Sequence, residues 1–120
     1  MFIINATDYA PITPVTAPCD IIPIPIGYKG ENKARCLTFD LTSCVETFGA
    51  GTFTIKFKKD GAESAYTVAN TDQLDNTAIW VIDSTDTSGA GYGMVQLQYI
   101  VDEVVCKTAM YRTVLFNSLA

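Results

Sequence analysis

Gly51-Thr52-Phe53-Thr54-Ile55-Lys56-Phe57-Lys58-Lys59-Asp60-Gly61 sets the frame for the whole chain. Its apolar residues recur at every second position: Phe53, Ile55 and Phe57 on one side, Thr54, Lys56 and Lys58 on the other. A period of two sends alternate side chains to opposite faces of a strand, so residues 52–58 read as a half-buried β-strand. Lys59-Asp60-Gly61 is a turn signal, and residues 65–69 supply a short return strand that completes a hairpin. The clustered lysines then sit at an exposed strand end beside Asp60, where lysine commonly guards a sheet edge.

The same alternation recurs on both sides. Over residues 35–41, Leu37, Phe39 and Leu41 share one face while Cys36, Thr38 and Asp40 share the other. Residues 77–83 form a strand around Trp80, and residues 94–101 place Val95, Leu97 and Tyr99 together, opposite Gln96 and Gln98. A last long strand is expected over 104–116, joined to its predecessor at Asp102-Glu103. Residues 70–76 and 84–93 read as polar connections. Residues 43–50 fit either a loop or a single helical turn before Gly49-Ala50-Gly51. About seven strands and no long amphipathic helix predict an all-β fold: an antiparallel β-sandwich, immunoglobulin-like or jelly-roll-like.

All five prolines lie within the first 25 residues, at Pro11, Pro14, Pro18, Pro23 and Pro25. Proline fixes φ and removes a backbone donor, so it avoids central strands and suits extended segments or sheet edges. Two parts follow: an extended, Pro-rich N-terminal arm over residues 1–18, and a β-sandwich domain over residues 19–120. Pro23 and Pro25 alternate with isoleucines in a segment that fits an edge strand. The arm is the first place to expect a partner, with Tyr9, Pro11, Ile12, Pro14 and Val15 as candidate interface residues.

The 120 residues allow one domain with one core, and 48% hydrophobic against 18% charged residues is the balance of a folded chain. A net charge of −5 argues against nucleic acid as a partner. No apolar run approaches the roughly 20 residues needed to span a bilayer, so no membrane partner is expected. The start Met1-Phe2-Ile3-Ile4-Asn5 lacks a basic leader, and export is not indicated.

The chemistry of catalysis is thin. There is no histidine, which removes Ser-His-Asp and Cys-His arrangements and weakens any zinc site. The four cysteines, Cys19, Cys36, Cys44 and Cys106, contain no CxxC pair. Buried thiols or one disulfide remain the two readings for them. Asp83 with Asp86, and Asp72 with Asp75, flank polar turns and read as turn aspartates, with a weak calcium loop as the minor alternative. The glycines of Gly89-Ala90-Gly91-Tyr92-Gly93 precede a strand rather than a helix, so they read as turn residues and not as a phosphate loop. Trp80, Tyr99 and Tyr111 suit a core better than a sugar-stacking platform. The expectation is a protein that is not an enzyme and needs no cofactor.

Beyond these patterns, the ordered residues Gly51, Thr52, Phe53, Trp80, Asp83, Thr87, Gly91, Gly93, Gln96, Leu97, Tyr99, Lys107, Thr108, Tyr111 and Thr113, preceded by Tyr28-Lys29-Gly30-Glu31-Asn32-Lys33-Ala34-Arg35, carry a resemblance. Over about residues 22–119 the chain resembles small β-sandwich domains of phage and prophage virion proteins of Gram-positive gut bacteria. Those domains stand at the N-terminus of tail, baseplate or head-fibre proteins and anchor them to the particle. The resemblance implies a virion structural protein acting as an assembly or attachment module, made in the host bacterial cytoplasm and located in the virion. It implies other virion proteins as partners and a homo-oligomer, with a trimer suggested by the fibre analogy. Either the chain is a stand-alone virion component, or it is the anchoring domain of a longer protein. The matched residues are structural glycines, aromatics and turn residues, so they specify a domain type and no active site. The alternative function is a β-sandwich module for cell-surface carbohydrate, using Tyr66, Tyr92 or Trp80 at a loop end.

Overall fold

The computed structural model describes residues 2–5 (backbone), 23–107 and 110–119. The alternating stretches become strands in the order β1 (Phe2–Asn5), β2 (Ile24–Tyr28), β3 (Arg35–Asp40), β4 (Thr52–Lys58), β5 (Tyr66–Thr67), β6 (Thr71–Leu74), β7 (Thr77–Ile82), β8 (Gly91–Val101), β9 (Val104–Lys107) and β10 (Tyr111–Phe116). A helix, α1 (Thr42–Phe48), lies between β3 and β4. Two sheets stack as a sandwich. One has four strands in the order β1-β3-β7-β6; the other has six, β2-β10-β8-β4-β5, with β9 also pairing β8.

The expected all-β sandwich is the architecture found. Most pairings are antiparallel, but β1 with β3 and β2 with β10 are parallel. Inward residues of both sheets meet in one core: Ile24 and Ile26 from β2, Leu37 and Phe39 from β3, Ile55 and Phe57 from β4, Trp80 and Ile82 from β7, Val95 and Leu97 from β8. Each such side chain contributes about 1.5–3 kcal/mol when removed from water. Trp80, Tyr99 and Tyr111 are buried, so the core reading of these aromatics holds. Phe57 and Trp80 pack ring against ring across the two sheets, 4.9 Å between centroids.

Pro25 stands in β2, which is the edge of the six-stranded sheet, opposite Val114 of β10. The register shifts between Val114 and Leu115, next to the proline. An edge strand needs hydrogen bonds on one side only, which is why it accommodates a residue without an N–H.

Four local readings are settled or changed. Of the two readings for residues 43–50 the helical one holds, as a seven-residue helix over Thr42–Phe48. Asp40 Oδ1 accepts from the Thr42 N–H at 3.0 Å and the Thr42 hydroxyl at 2.7 Å, at the start of the helix. Tyr99 donates its hydroxyl to the Gly49 carbonyl at 2.6 Å at the other end, while Cys44, Val45 and Phe48 pack on the core. Residues 70–76 hold an edge strand, β6, not a simple connection. The strand around Tyr99 begins at Gly91 instead of Met94, and the stretch 104–116 is two strands, β9 and β10, on the same side of β8.

Phe2–Asn5, inside the expected arm, form β1 on the domain's own four-stranded sheet, with Ile3 opposite Cys36. The candidate interface residues Tyr9, Pro11, Ile12, Pro14 and Val15 lie outside the described residues, as does Cys19. Cys36, Cys44 and Cys106 are buried. Among the described residues no helix is long and apolar enough to cross a membrane.

Candidate functional site

Two places concentrate polar side chains, and they differ in kind. One is internal. After β7, the turn Asp83-Ser84-Thr85-Asp86-Thr87 folds back so that the Asp86 carboxylate is buried under the core edge. Oδ2 accepts from the Trp80 indole N–H at 3.0 Å and from the Asp83 backbone N–H at 3.0 Å, and Oδ1 accepts from the Tyr66 hydroxyl. Asp83 in turn accepts from the Asn70 side chain and from the Thr85 and Asp86 N–H groups. Thr87 donates to the Glu31 carbonyl at 2.6 Å, linking this turn to the β2–β3 connection.

Burial pushes the Asp86 carboxyl above its ordinary range, against the opposing pull of its three hydrogen bonds. Burial also pushes the Tyr66 phenol up, reinforced by the bond to Asp86. Here both oxygens of the aspartate are engaged by protein donors, so the turn is a staple between loop and core, not a ligand loop. No group of three or more metal-ligating side chains gathers among the described residues. Tyr66 and Trp80 are therefore committed to structure. Of the aromatics considered for sugar stacking, Tyr92 alone faces solvent, 58% exposed.

The other place is the outer face of the six-stranded sheet. Alternation in β4, β8 and β10 turns Ile55, Phe57, Val95, Leu97, Tyr111 and Leu115 inward, so Lys56, Lys58, Tyr92, Met94, Gln96, Arg112 and Phe116 face out. Register places them in rows. Lys58 lies opposite Met94, and Met94 lies opposite Arg112, so two cations bracket a methionine across three strands. The Arg112 guanidinium lies over the Tyr92 ring at 5.8 Å. Further along, Tyr28 and Phe116 pack at 5.5 Å, with Arg35 over Tyr28 at 5.7 Å. Arg35 also holds Glu31 at 2.9 Å, and that bond draws the Glu31 carboxyl below its ordinary range.

Two depressions flank the Lys58–Met94 pair. One, about 260 Å³, runs between the Lys59-Asp60-Gly61 turn, Tyr92 and Arg112. The other, about 210 Å³, is lined by Lys56, Ala65, Gln96 and Met110. Lys56 reaches Thr67 and Lys59 reaches Ser88 at 2.8 Å. The surface is thus basic, with Asp60 as the acid in its lining, on a chain whose net charge is −5. Tyr28, Tyr92, Met110 and Phe116 each remain 45–58% exposed on or beside this face. Exposed aromatic and sulfur side chains are thus grouped on one face and rimmed by charge.

The chain is a β-sandwich, and the outer face of its six-stranded sheet is basic and partly apolar. No protein-family model matches the chain, and the search of curated proteins found no match. Sequence reading placed Lys56, Lys58 and Lys59 at an exposed strand end, but it did not place Arg112 or Met94 beside them. That juxtaposition depends on strand register, which no local signal in the sequence carries.

Proposed function

We propose that this chain is a structural module of a phage particle, which assembles with copies of itself and with other virion proteins through protein–protein contact. The observation that carries the contact role is the outer face of the six-stranded sheet, where Tyr28, Tyr92, Met110 and Phe116 stay exposed. The phage setting rests on the motif resemblance around Gly51, Trp80, Gly93 and Tyr111, and it makes the virion the place of action. Residues 6–18 of the Pro-rich arm add a second attachment element, since a proline-stiffened segment loses less entropy on docking than a flexible one.

Light scattering on the purified chain over a concentration series tests the reading. Association is expected, and Phe116→Asp combined with Met110→Asp weakens it while leaving the thermal transition in place. A chain that stays monomeric at every concentration overturns self-assembly. Association unaffected by these two substitutions overturns the face.

One observation favours a second reading. Tyr92 is an exposed ring under Arg112 beside an open depression of about 260 Å³, a shape that suits one anionic sugar ring. Binding to an acidic glycan on an array, lost in Tyr92→Ala, supports it; an array without signal removes it.

A further inference from the structure

The face opposite the basic one carries its chemical complement. In the four-stranded sheet, Asp40 of β3 lies opposite Thr77 of β7, and Thr77 lies opposite Leu74 of β6. Residues directly opposite in an antiparallel pair point to the same side, and Ala78 and Trp80 of β7 point inward. Asp40, Leu74 and, two residues earlier on β6, Asp72 therefore share the outer side of this sheet. Asp75 follows in the turn, at a φ of 52°. All four residues of β6 are exposed, and Leu74 is 68% exposed, bordered by aspartates.

The two sheets thus present matched outer surfaces. One is a large apolar side chain, Leu74, among Asp40, Asp72 and Asp75. The other is Met94 bracketed by Lys58 and Arg112, next to a groove large enough for one aliphatic side chain. Lys58 and Arg112 make no ion pair among the described residues, although Arg112 rests on Tyr92. Two exposed cations outside any ion pair among the described residues, with Asp60 as the acid in the same lining, favour an acidic partner. Such a partner exists on the chain itself.

We propose that the Asp72–Leu74–Asp75 corner of one copy docks on the Lys58–Met94–Arg112 row of the next. Leu74 enters the groove beside Met94, and the aspartates meet the two cations. This deepens the assembly reading and rests on it. The two surfaces lie on opposite outer faces of the sandwich, so the contact is heterologous: each copy uses one face to give and the other to receive. Repetition builds a closed ring where the rotation closes, or an open stack where it does not.

Charge exchange tests this directly. Lys58→Glu with Arg112→Glu reverses the row; Asp72→Lys with Asp75→Lys reverses the corner. All four positions are exposed and outside the core, and circular dichroism checks that each variant folds. By sedimentation velocity at low salt, each double variant alone is expected to lose about tenfold or more in association, since like charges then face each other. An equimolar mixture of the two variants is expected to regain it, because each variant supplies the surface that the other needs. Added salt weakens the wild-type contact by screening.

Loss in both variants with recovery in the mixture supports the pairing. Loss in the row variant without recovery shows that the face is used by another occupant, which overturns this pairing and leaves the assembly reading standing. Wild-type association indifferent to both reversals overturns the pairing as well. Wild-type protein that never associates overturns both.

Discussion

Trp80 donates its indole N–H to Oδ2 of Asp86 at 3.0 Å, and through this bond a polar turn is fixed to the largest fully buried side chain of the core. The same carboxylate receives the Tyr66 hydroxyl and the Asp83 N–H. Replacing it strands three donors at once. Asp86→Ala is therefore expected to cost about 3 kcal/mol or more of stability, since each buried donor left without a partner costs about 1–3 kcal/mol. Asp86→Asn retains one acceptor oxygen and costs less. Urea unfolding followed by Trp80 fluorescence measures both.

The same group gives a pH dependence with a definite sign. Burial raises the carboxyl of Asp86 in the folded state above its unfolded value. A raised carboxyl holds its proton more tightly when folded, so its contribution is fully present below the unfolded range, near about pH 4, and is lost as pH rises through the folded value. Asp86→Asn cannot titrate there. The stability difference between wild type and Asp86→Asn is expected to move against wild type as pH rises from about 4 toward neutrality. Glu31, drawn down by Arg35, acts in the opposite sense: its contribution is present above the unfolded range and is lost as pH falls through the folded value. Comparing wild type with Asp86→Asn at each pH cancels it.

Thr113 points inward from β10, and its buried hydroxyl has no hydrogen-bond partner among the described residues. Valine has nearly the same shape without the orphan oxygen. Thr113→Val is expected to stabilise the fold by about 1 kcal/mol, read as a rise in the urea midpoint with an unchanged slope.

Gly93 lets β8 lie against β4. A Cβ there would meet the Lys58 carbonyl oxygen at 2.6 Å and the Thr113 hydroxyl at 3.0 Å. Gly93→Ala is expected to destabilise by about 1–3 kcal/mol, because the obstacle is a backbone atom that cannot swing aside. Thermal unfolding of the variant decides this. Gly89, with open space around its Cβ position, serves as the neutral comparison.

Phe53, Ile55 and Phe57 were legible as a strand because period-two alternation is a local property, and the same held for Leu37 and Phe39. Thr71–Leu74 escaped notice because an edge strand with every residue exposed carries no apolar rhythm. Gly91 and Tyr92 were assigned to a turn, since glycine usually marks one, yet β8 starts there with Gly91 at a φ of 134°. The helix at Thr42–Phe48 is too short to show a stripe beyond Cys44, Val45 and Phe48. The Lys58–Met94–Arg112 row was invisible for a different reason: its members come from three strands, and only their register makes them neighbours.

Methionine oxidation footprinting tests the contact face most directly. Dilute and concentrated samples are pulsed with peroxide, and sulfoxide at Met94 and Met110 is quantified by mass spectrometry. Both methionines are expected to be slowed in the associated sample, while thermal unfolding restores full reactivity. Equal oxidation of Met94 and Met110 in dilute and associated samples would contradict the contact role of this face.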